Sequence, residues 1–250
     1  MPENDQRLAQ ARSFGPAAAA YERVRPPYPQ TAVNWLLPAG AGQVLDVGAG
    51  TGKLSRQVGV GVRAVVALDP SFRMCHEGQR AVPDVHFVTG AAEAIPLADA
   101  SVDVVLVAQA WHWVDPSRAV PEVARVLRPG GRLGLLWNDR DERVDWVRRL
   151  GQIMHQDTAG GQDELDPHIG HPFGPMASRT VDWAHRTDAQ TLLDLVTSRS
   201  YFLTASPETQ ATTILAVRSL LDTHPDLRGR TQITLPYRTR CYRTELPGVS

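Results

Sequence analysis

The run Val44-Leu45-Asp46-Val47-Gly48-Ala49-Gly50-Thr51-Gly52 constrains this chain more than any other stretch. A short apolar segment breaks into alternating glycines and then opens a helix-prone sequence near 52–59. That order places a ligand pocket at the carboxyl end of the first strand of an α/β sheet. Glycine accepts positive φ and lets a ligand approach the backbone, because it carries no Cβ.

Three ligand classes compete for such a loop. A dinucleotide fingerprint needs G-x-G-x-x-G; Gly48 and Gly50 fit, but Lys53 holds the sixth place. A phosphate loop needs G-x-x-x-x-G-K-[ST]; Gly52-Lys53 supplies its end, but Val47 replaces the first glycine and Leu54 the hydroxyl. What remains is strand-Asp-x-Gly-x-Gly-x-Gly, with Asp46 expected to face the pocket. A carboxylate there suits an ammonium-bearing ligand better than a pyrophosphate. A purely structural glycine turn is the alternative.

A second acid closes the next apolar run, Arg63-Ala-Val-Val-Ala-Leu-Asp69-Pro70, 21 residues after Gly48. An acid about 20 residues past the glycine loop is where such folds bond ribose hydroxyls. Alone, Asp69 would read as a solvated strand end. Paired with the loop it reads as a ligand residue.

Further segments follow in order: Gly90-Ala91-Ala92-Glu93-Ala94-Ile95-Pro96-Leu97, the strand-like Ser101 to Val107, and Glu122 to Leu133 with Pro129-Gly130-Gly131 at its turn. Taken together, residues 40 to 138 resemble a class I S-adenosylmethionine-dependent methyltransferase. Gln109-Ala110-Trp111-His112-Trp113 further resembles the branch that includes fungal trans-aconitate methyltransferases. The resemblance implies S-adenosyl-L-methionine as cofactor, held by Asp46, Gly48, Ala49, Gly50, Asp69, Pro70, Met74, Ala91, Ala92, Glu93 and Gln109. Ala91 departs from the family pattern, which often has an Asp there to accept the adenine amino group. Adenine is then expected to rest on backbone near Ala92.

The spacing predicts strands near 43–47, 63–69, 84–88, 102–108 and 132–137, with helices near 52–59, 71–80 and 116–128. Alternation of strand and helix with short connections argues for a parallel sheet covered on both faces. Gln232 to Arg243 alternates with period two and reads as the final strand, which the resemblance implies is antiparallel. The fold class is therefore a Rossmann-like, seven-stranded, mostly parallel sheet in a single domain. An amino-terminal helical arm (1–39) precedes the core (40–150), and the remainder (151–250) carries a cap. In that remainder Val181-Asp182-Trp183 reads as a strand, and Ala189 to Thr197 and Pro207 to Leu221 as helices. The arm reads as a helix over Ala17–Val24, stopped by Arg25-Pro26-Pro27-Tyr28-Pro29, then a short helix near Gln30 to Leu37.

Methyl transfer from a sulfonium rests on alignment more than on acid–base chemistry, so an ionised carboxylate acceptor needs no base. A phenol or alcohol would need one, and His112 is the candidate. Trp111 and Trp113 are candidate walls of the substrate pocket, and aromatic faces favour a cation. Tyr21 and Tyr28 either reach the substrate or staple the arm to the core. Arg25 and Arg140 are candidate grips on an acidic acceptor, since a guanidinium binds carboxylate through two parallel bonds.

Net charge is −1, with 42% hydrophobic and 21% charged residues, which argues against a grip on nucleic acid or anionic membrane. Lys53 is the only lysine. The first residues lack a signal-peptide layout, and no apolar run reaches the length of a membrane span, so a cytoplasmic protein is expected. Cys75 and Cys241 are too few for a disulfide framework. His168 and His171 form H-x-x-H beside Asp166 in a Pro/Gly-rich loop, so no metal site is expected. The expected partner is a small-molecule acceptor. The alternatives are methylation of a macromolecule, or a cofactor-binding protein without turnover.

Overall fold

The computed structural model describes residues 25–154, 167 and 169–248. The helix expected over Ala17–Val24, Tyr21 within it, and His168 and Asp166 lie outside the described residues.

One sheet organises the molecule. Its strands are β1 (Gln43–Val47), β2 (Ala64–Asp69), β3 (His86–Thr89), β4 (Val102–Ala108), β5 (Leu127–Arg140), β6 (Ala177–Thr187) and β7 (Ile233–Glu245). They lie in the order β3-β2-β1-β4-β5-β7-β6. The first five are parallel, and β7 runs antiparallel to both β5 and β6. The chain reverses strand order on either side of β1 and β4, and the carboxyl ends of these two strands open the crevice where ligands bind in such sheets.

Helices α1 (Gln30–Leu36), α2 (Lys53–Gly59), α3 (Phe72–Ala81) and α4 (Pro116–Val126) belong to the first part of the chain. Alternate strand residues point to opposite faces, and both faces are buried. On one face Leu45, Val47, Val105, Val107 and Leu135 pack with Ala119, Val120 and Val123 of α4. On the other, Val44, Val104, Leu106 and Leu136 pack with Val33 and Leu36 of α1 and Leu54 and Val58 of α2. This is why β1 and β4 read as continuous apolar runs rather than alternating ones.

The later helices form a second core. Helices α5 (Asp145–Met154), α6 (Ala189–Thr197), α7 (Ser200–Thr204) and α8 (Pro207–Thr223) follow in the chain. Trp146, Val147 and Leu150 of α5 pack with Leu192, Leu195 and Val196 of α6, Val217, Leu220 and Leu221 of α8, and Leu235 and Tyr237 of β7. No helix among the described residues is long and apolar enough to cross a membrane.

Three expectations change at the level of elements. Strand β5 begins at Leu127, not near 132, and passes through Arg128-Pro129-Gly130-Gly131. Val102 pairs with Leu127 and Val104 with Arg132, so the extra residues form a bulge. Strand β6 spans 177–187 and not only 181–183. Residues 177–180 of this edge strand are exposed on both sides and only 181–187 alternate between half-buried and exposed, so its alternation is faint in the sequence. The short helix α7 has no counterpart in the sequence reading.

Candidate functional site

One wall of the cavity starts where β1 ends. Gly48 and Ala49 donate their amides to the Leu68 carbonyl at 2.8 and 3.0 Å, fixing the glycine loop on the end of β2. Gly48 and Gly50 adopt φ of 69° and 57°. A Cβ on Gly48 would sit 2.4 Å from the Ala110 Cβ, so the loop and the end of β4 touch only because glycine is there. A Cβ on Gly50 would meet nothing within 4 Å, and this residue lines an open cavity.

Asp69 is held by the two motifs it joins. Its Oδ2 accepts the Gly50 amide and its Oδ1 the Ser71 amide, each at 2.9 Å. Burial pushes its carboxyl above the usual range, and the two amide bonds act against that shift. Each oxygen keeps a further lone pair for a hydroxyl. Pro70 and Met74 continue this wall.

The facing wall is Gly90, Ala91, Ala92 and Glu93. Its shape is set from outside the cavity. Glu93 accepts the Asp115 amide at 2.8 Å, tying the segment to the start of α4. Glu122 accepts the Ile95 amide, while Arg125 donates to the Ile95 and Leu97 carbonyls, each at 2.8 Å.

Beyond β4 the chain turns sharply. Gln109 is held at φ 57°, a strained value for a residue with a side chain. Its amide bonds the Leu136 carbonyl at 2.9 Å and its side-chain nitrogen the Asn138 carbonyl at 3.0 Å. A 3-10 turn follows at Trp111–Trp113. His112 and Trp113 line the cavity with rings 4.7 Å apart. Trp111 does not. It is 4% exposed, and its indole donates to the Pro167 carbonyl at 2.9 Å, so it belongs to the core rather than to a substrate wall.

The tautomer of His112 follows from its neighbour. The Trp137 indole nitrogen lies 3.5 Å from His112 Nδ1. An indole only donates, so Nδ1 accepts and a neutral imidazole carries its proton on Nε2. Burial pushes His112 down to about 4, which keeps the ring uncharged at neutral pH.

Asp46 lies beneath the loop, off the cavity wall. It is 1% exposed, and its Oδ2 accepts the Ser55 hydroxyl at 2.6 Å. Its Oδ1 has no hydrogen-bond partner among the described residues, and burial raises its carboxyl to about 7. The sequence reading aimed this side chain at the ligand; the structure turns it towards α2. Ala49 is likewise off the wall.

The arm is latched across the strand ends. Lys53 Nζ donates to the Arg25 carbonyl at 2.7 Å, and Asn138 donates to the Pro27 carbonyl at 3.0 Å. Gln57 accepts the Tyr28 amide at 2.9 Å and donates to its carbonyl at 2.7 Å. Arg25 lines the cavity. Tyr28 packs against the α1–α2 core cluster, so among its two roles the structure shows the staple.

Arg140 ends β5, opposite Tyr237 of β7, and is not on the cavity wall. Arg199 is on it, and the sequence reading missed it. It stands in Thr197-Ser198-Arg199-Ser200, a polar link between α6 and α7 with no motif to mark it. Among the described residues no group of three or more His, Cys, Asp and Glu side chains could hold a metal ion.

The donor set fits a nucleoside-bearing ligand. A fixed carboxylate at Asp69 faces the cavity beside a glycine cradle at Gly50 that no side chain fills. Comparison with known proteins agrees. A methyltransferase domain family matches residues 45–135. A Mycobacterium tuberculosis protein named an uncharacterized methyltransferase is 51% identical over 94% of this chain and 96% of its own. A malonyl-[acyl-carrier protein] O-methyltransferase of Enterobacter lignolyticus is 34% identical over 72% of this chain and 74% of its own. A solved structure named as a type II methyltransferase of Anaeromyxobacter dehalogenans shares the fold. Its TM-score is 0.65, at 24% identity, over 90% of this chain and 99% of its own. The chain belongs to the class I methyltransferases, with S-adenosyl-L-methionine as its cofactor.

Proposed function

We propose that this protein transfers a methyl group to an oxygen of a small-molecule acceptor by in-line displacement. The observation that carries the reading is one shared cavity. Gly48, Gly50, Asp69 and the Ala91–Glu93 wall line it together with His112, Trp113, Arg25 and Arg199. When bound, S-adenosyl-L-methionine supplies an electrophilic methyl group to an atom aligned opposite its sulfur. The chain's own work is positioning. Asp69 and the ends of Gly48 and Gly50 hold the nucleoside side. Trp113 and Val114 supply apolar surface that excludes water near the reacting atoms.

His112 acts here as a neutral donor. With Nδ1 engaged by Trp137, Nε2–H is free to orient an acceptor oxygen, and a ring that resists protonation is a poor base. That role matches an acceptor that is already ionised, such as a carboxylate. The name of the Enterobacter relative, an O-methyltransferase, supports oxygen as the acceptor atom. The Gln109–Trp113 resemblance to small-acid methyltransferases supports the same class. The net charge of −1 favours a small acceptor over a nucleic acid.

Calorimetric titration with S-adenosylhomocysteine, with NAD as control, tests the cofactor half. Transfer of radiolabelled methyl to a panel of small carboxylic acids and phenols tests the acceptor half. Binding without transfer to any of them would leave a cofactor-binding protein and end the enzyme reading.

A further inference from the structure

We propose that the acceptor carries a second, non-reacting carboxylate, and that Arg140, Tyr201 and Tyr237 hold it beside Arg199. The inference rests on the methyl-transfer reading above and names the acceptor class.

Three buried polar atoms have no hydrogen-bond partner among the described residues: Arg140 Nε and the hydroxyls of Tyr201 and Tyr237. Tyr237 is 2% exposed. Native folds satisfy nearly all buried polar atoms, because each one left unpaired costs its full desolvation. Three in one place, from three separate elements, mark a position that a ligand completes. Arg140 and Tyr237 are direct cross-strand partners of β5 and β7. Tyr201 of α7 packs against the same core cluster as Tyr237. Burial raises both phenols, and the guanidinium groups of Arg140, Arg199 and Arg25 act on both in the opposite direction, so all five groups share one neighbourhood.

The chemistry of the set selects its ligand. Guanidinium only donates, and a phenol can donate, so a group that only accepts satisfies all three atoms at once. The carboxylates nearest in sequence are directed elsewhere. Asp139 bonds Arg240 at 2.6 Å, and Asp141 bonds Arg143 at 2.8 and 2.7 Å. No described carboxylate forms an ion pair with Arg140. The Tyr237 ring stacks on Trp183 at 5.3 Å, which fixes where its hydroxyl points.

Position separates this group from the reacting atom. Trp137, which contacts His112, and Arg140 lie on the same strand, roughly 10 Å apart along β5. Arg199 lines the cavity that Trp113 also lines, and its charge acts on both phenols. The acceptor is therefore bifunctional: an oxygen at His112 receives the methyl group, and a carboxylate at the far end anchors it.

The test uses the full chain and four probes: glutarate, adipate and citrate, with glutaramide as the neutral control. Each is titrated calorimetrically with and without saturating S-adenosylhomocysteine, into wild type, Arg140→Gln and Tyr237→Phe. At least one acid binds the wild type, glutaramide does not, and each variant weakens the acid tenfold or more while S-adenosylhomocysteine binds unchanged. Free Tyr237→Phe melts no lower than the wild type, because the lost hydroxyl had no partner. Acids that bind wild type and variants alike, or wild type that binds S-adenosylhomocysteine but no acid, overturn the anchor. So does a lower melting temperature for free Tyr237→Phe, which would mark a structural hydroxyl. Acid binding without any S-adenosylhomocysteine binding keeps the anchor and ends the methyl-transfer reading.

Discussion

Lys53 and Arg25 are joined through side chain and main chain: the ammonium donates to the Arg25 carbonyl at 2.7 Å. The only lysine of the chain thereby draws the arm onto the start of α2 and sets where the Arg25 side chain enters the cavity. Hydrogen bonds from charged groups contribute about 1.5–3 kcal/mol. Lys53→Met keeps the stem and removes the bond. It lowers S-adenosylhomocysteine affinity by about tenfold, measured by calorimetry, with little change in melting temperature, because Gln57 and Asn138 still hold residues 27 and 28.

Gly48→Ala is far more damaging. The new methyl would lie 2.4 Å from the Ala110 Cβ, at a φ of 69° that alanine resists. Neither atom belongs to a movable side-chain end, so the loop itself must shift. Strain of this kind costs about 1–3 kcal/mol. Cofactor affinity falls a hundredfold or more, and thermal unfolding shows a lower midpoint. Retained micromolar affinity would show that the loop has more room than the contact allows.

Asp69→Ala removes the acceptor for both the Gly50 and Ser71 amides. Two effects combine: a carboxylate lost from the cavity wall and a loosened loop. Asp69→Asn separates them, since the amide oxygen still accepts one backbone bond. Binding of S-adenosylhomocysteine is abolished in the alanine variant and weakened about tenfold or more in the asparagine variant.

The pH dependence of stability has opposing contributions from two buried groups. Asp46 titrates near 7 in the folded chain and near 3.8 unfolded, so the folded state holds the proton more tightly. Its contribution is present below about pH 4 and is lost as pH rises through 7. Asp46→Asn keeps an acceptor for Ser55 and is more stable than wild type at pH 8, with the difference fading towards pH 4. His112 works the other way: folded near 4 against 6.5 unfolded, it costs stability as pH falls from about 6.5 to 4. Denaturant midpoints measured across this range separate the two variants Asp46→Asn and His112→Gln.

Imidazole NMR checks the His112 assignment directly. The ring stays neutral down to about pH 5, with the proton on Nε2. No inflection near 6.5 is then expected in kcat. A His112 signal titrating near 6.5 would restore it as a candidate general base.

The sheet was legible where burial is two-sided. The apolar runs of β1, β2 and β4 have no other use than a strand covered by helices, and their bounds agree with the sequence reading within a residue. The start of β5 was not legible, because Pro129-Gly130-Gly131 reads as a turn and only pairing with Val102 makes it a strand. That Gly48, Gly50 and Asp69 come together on one cavity wall was legible from the loop and the spacing of Asp69. Asp46 was misplaced because the strand period assigns a face, while Ser55 on α2 decides what lies on that face. Arg199 and Tyr201 carry no local signal; α7 delivers them from far along the chain. Trp111 and Trp113 are two residues apart in one motif, yet a single turn sends one to the core and the other to the cavity.

Gly48 and Ala110 share a space that holds one methyl group and no more. The two positions therefore behave as a single site for sequence change. A residue larger than alanine at 110 presses on the glycine loop, and any side chain at 48 presses back. The fit of the glycine loop is thus fixed partly by a residue of the turn that carries His112 and Trp113. Redesigning the acceptor pocket through the 110–113 turn means redesigning cofactor affinity with it.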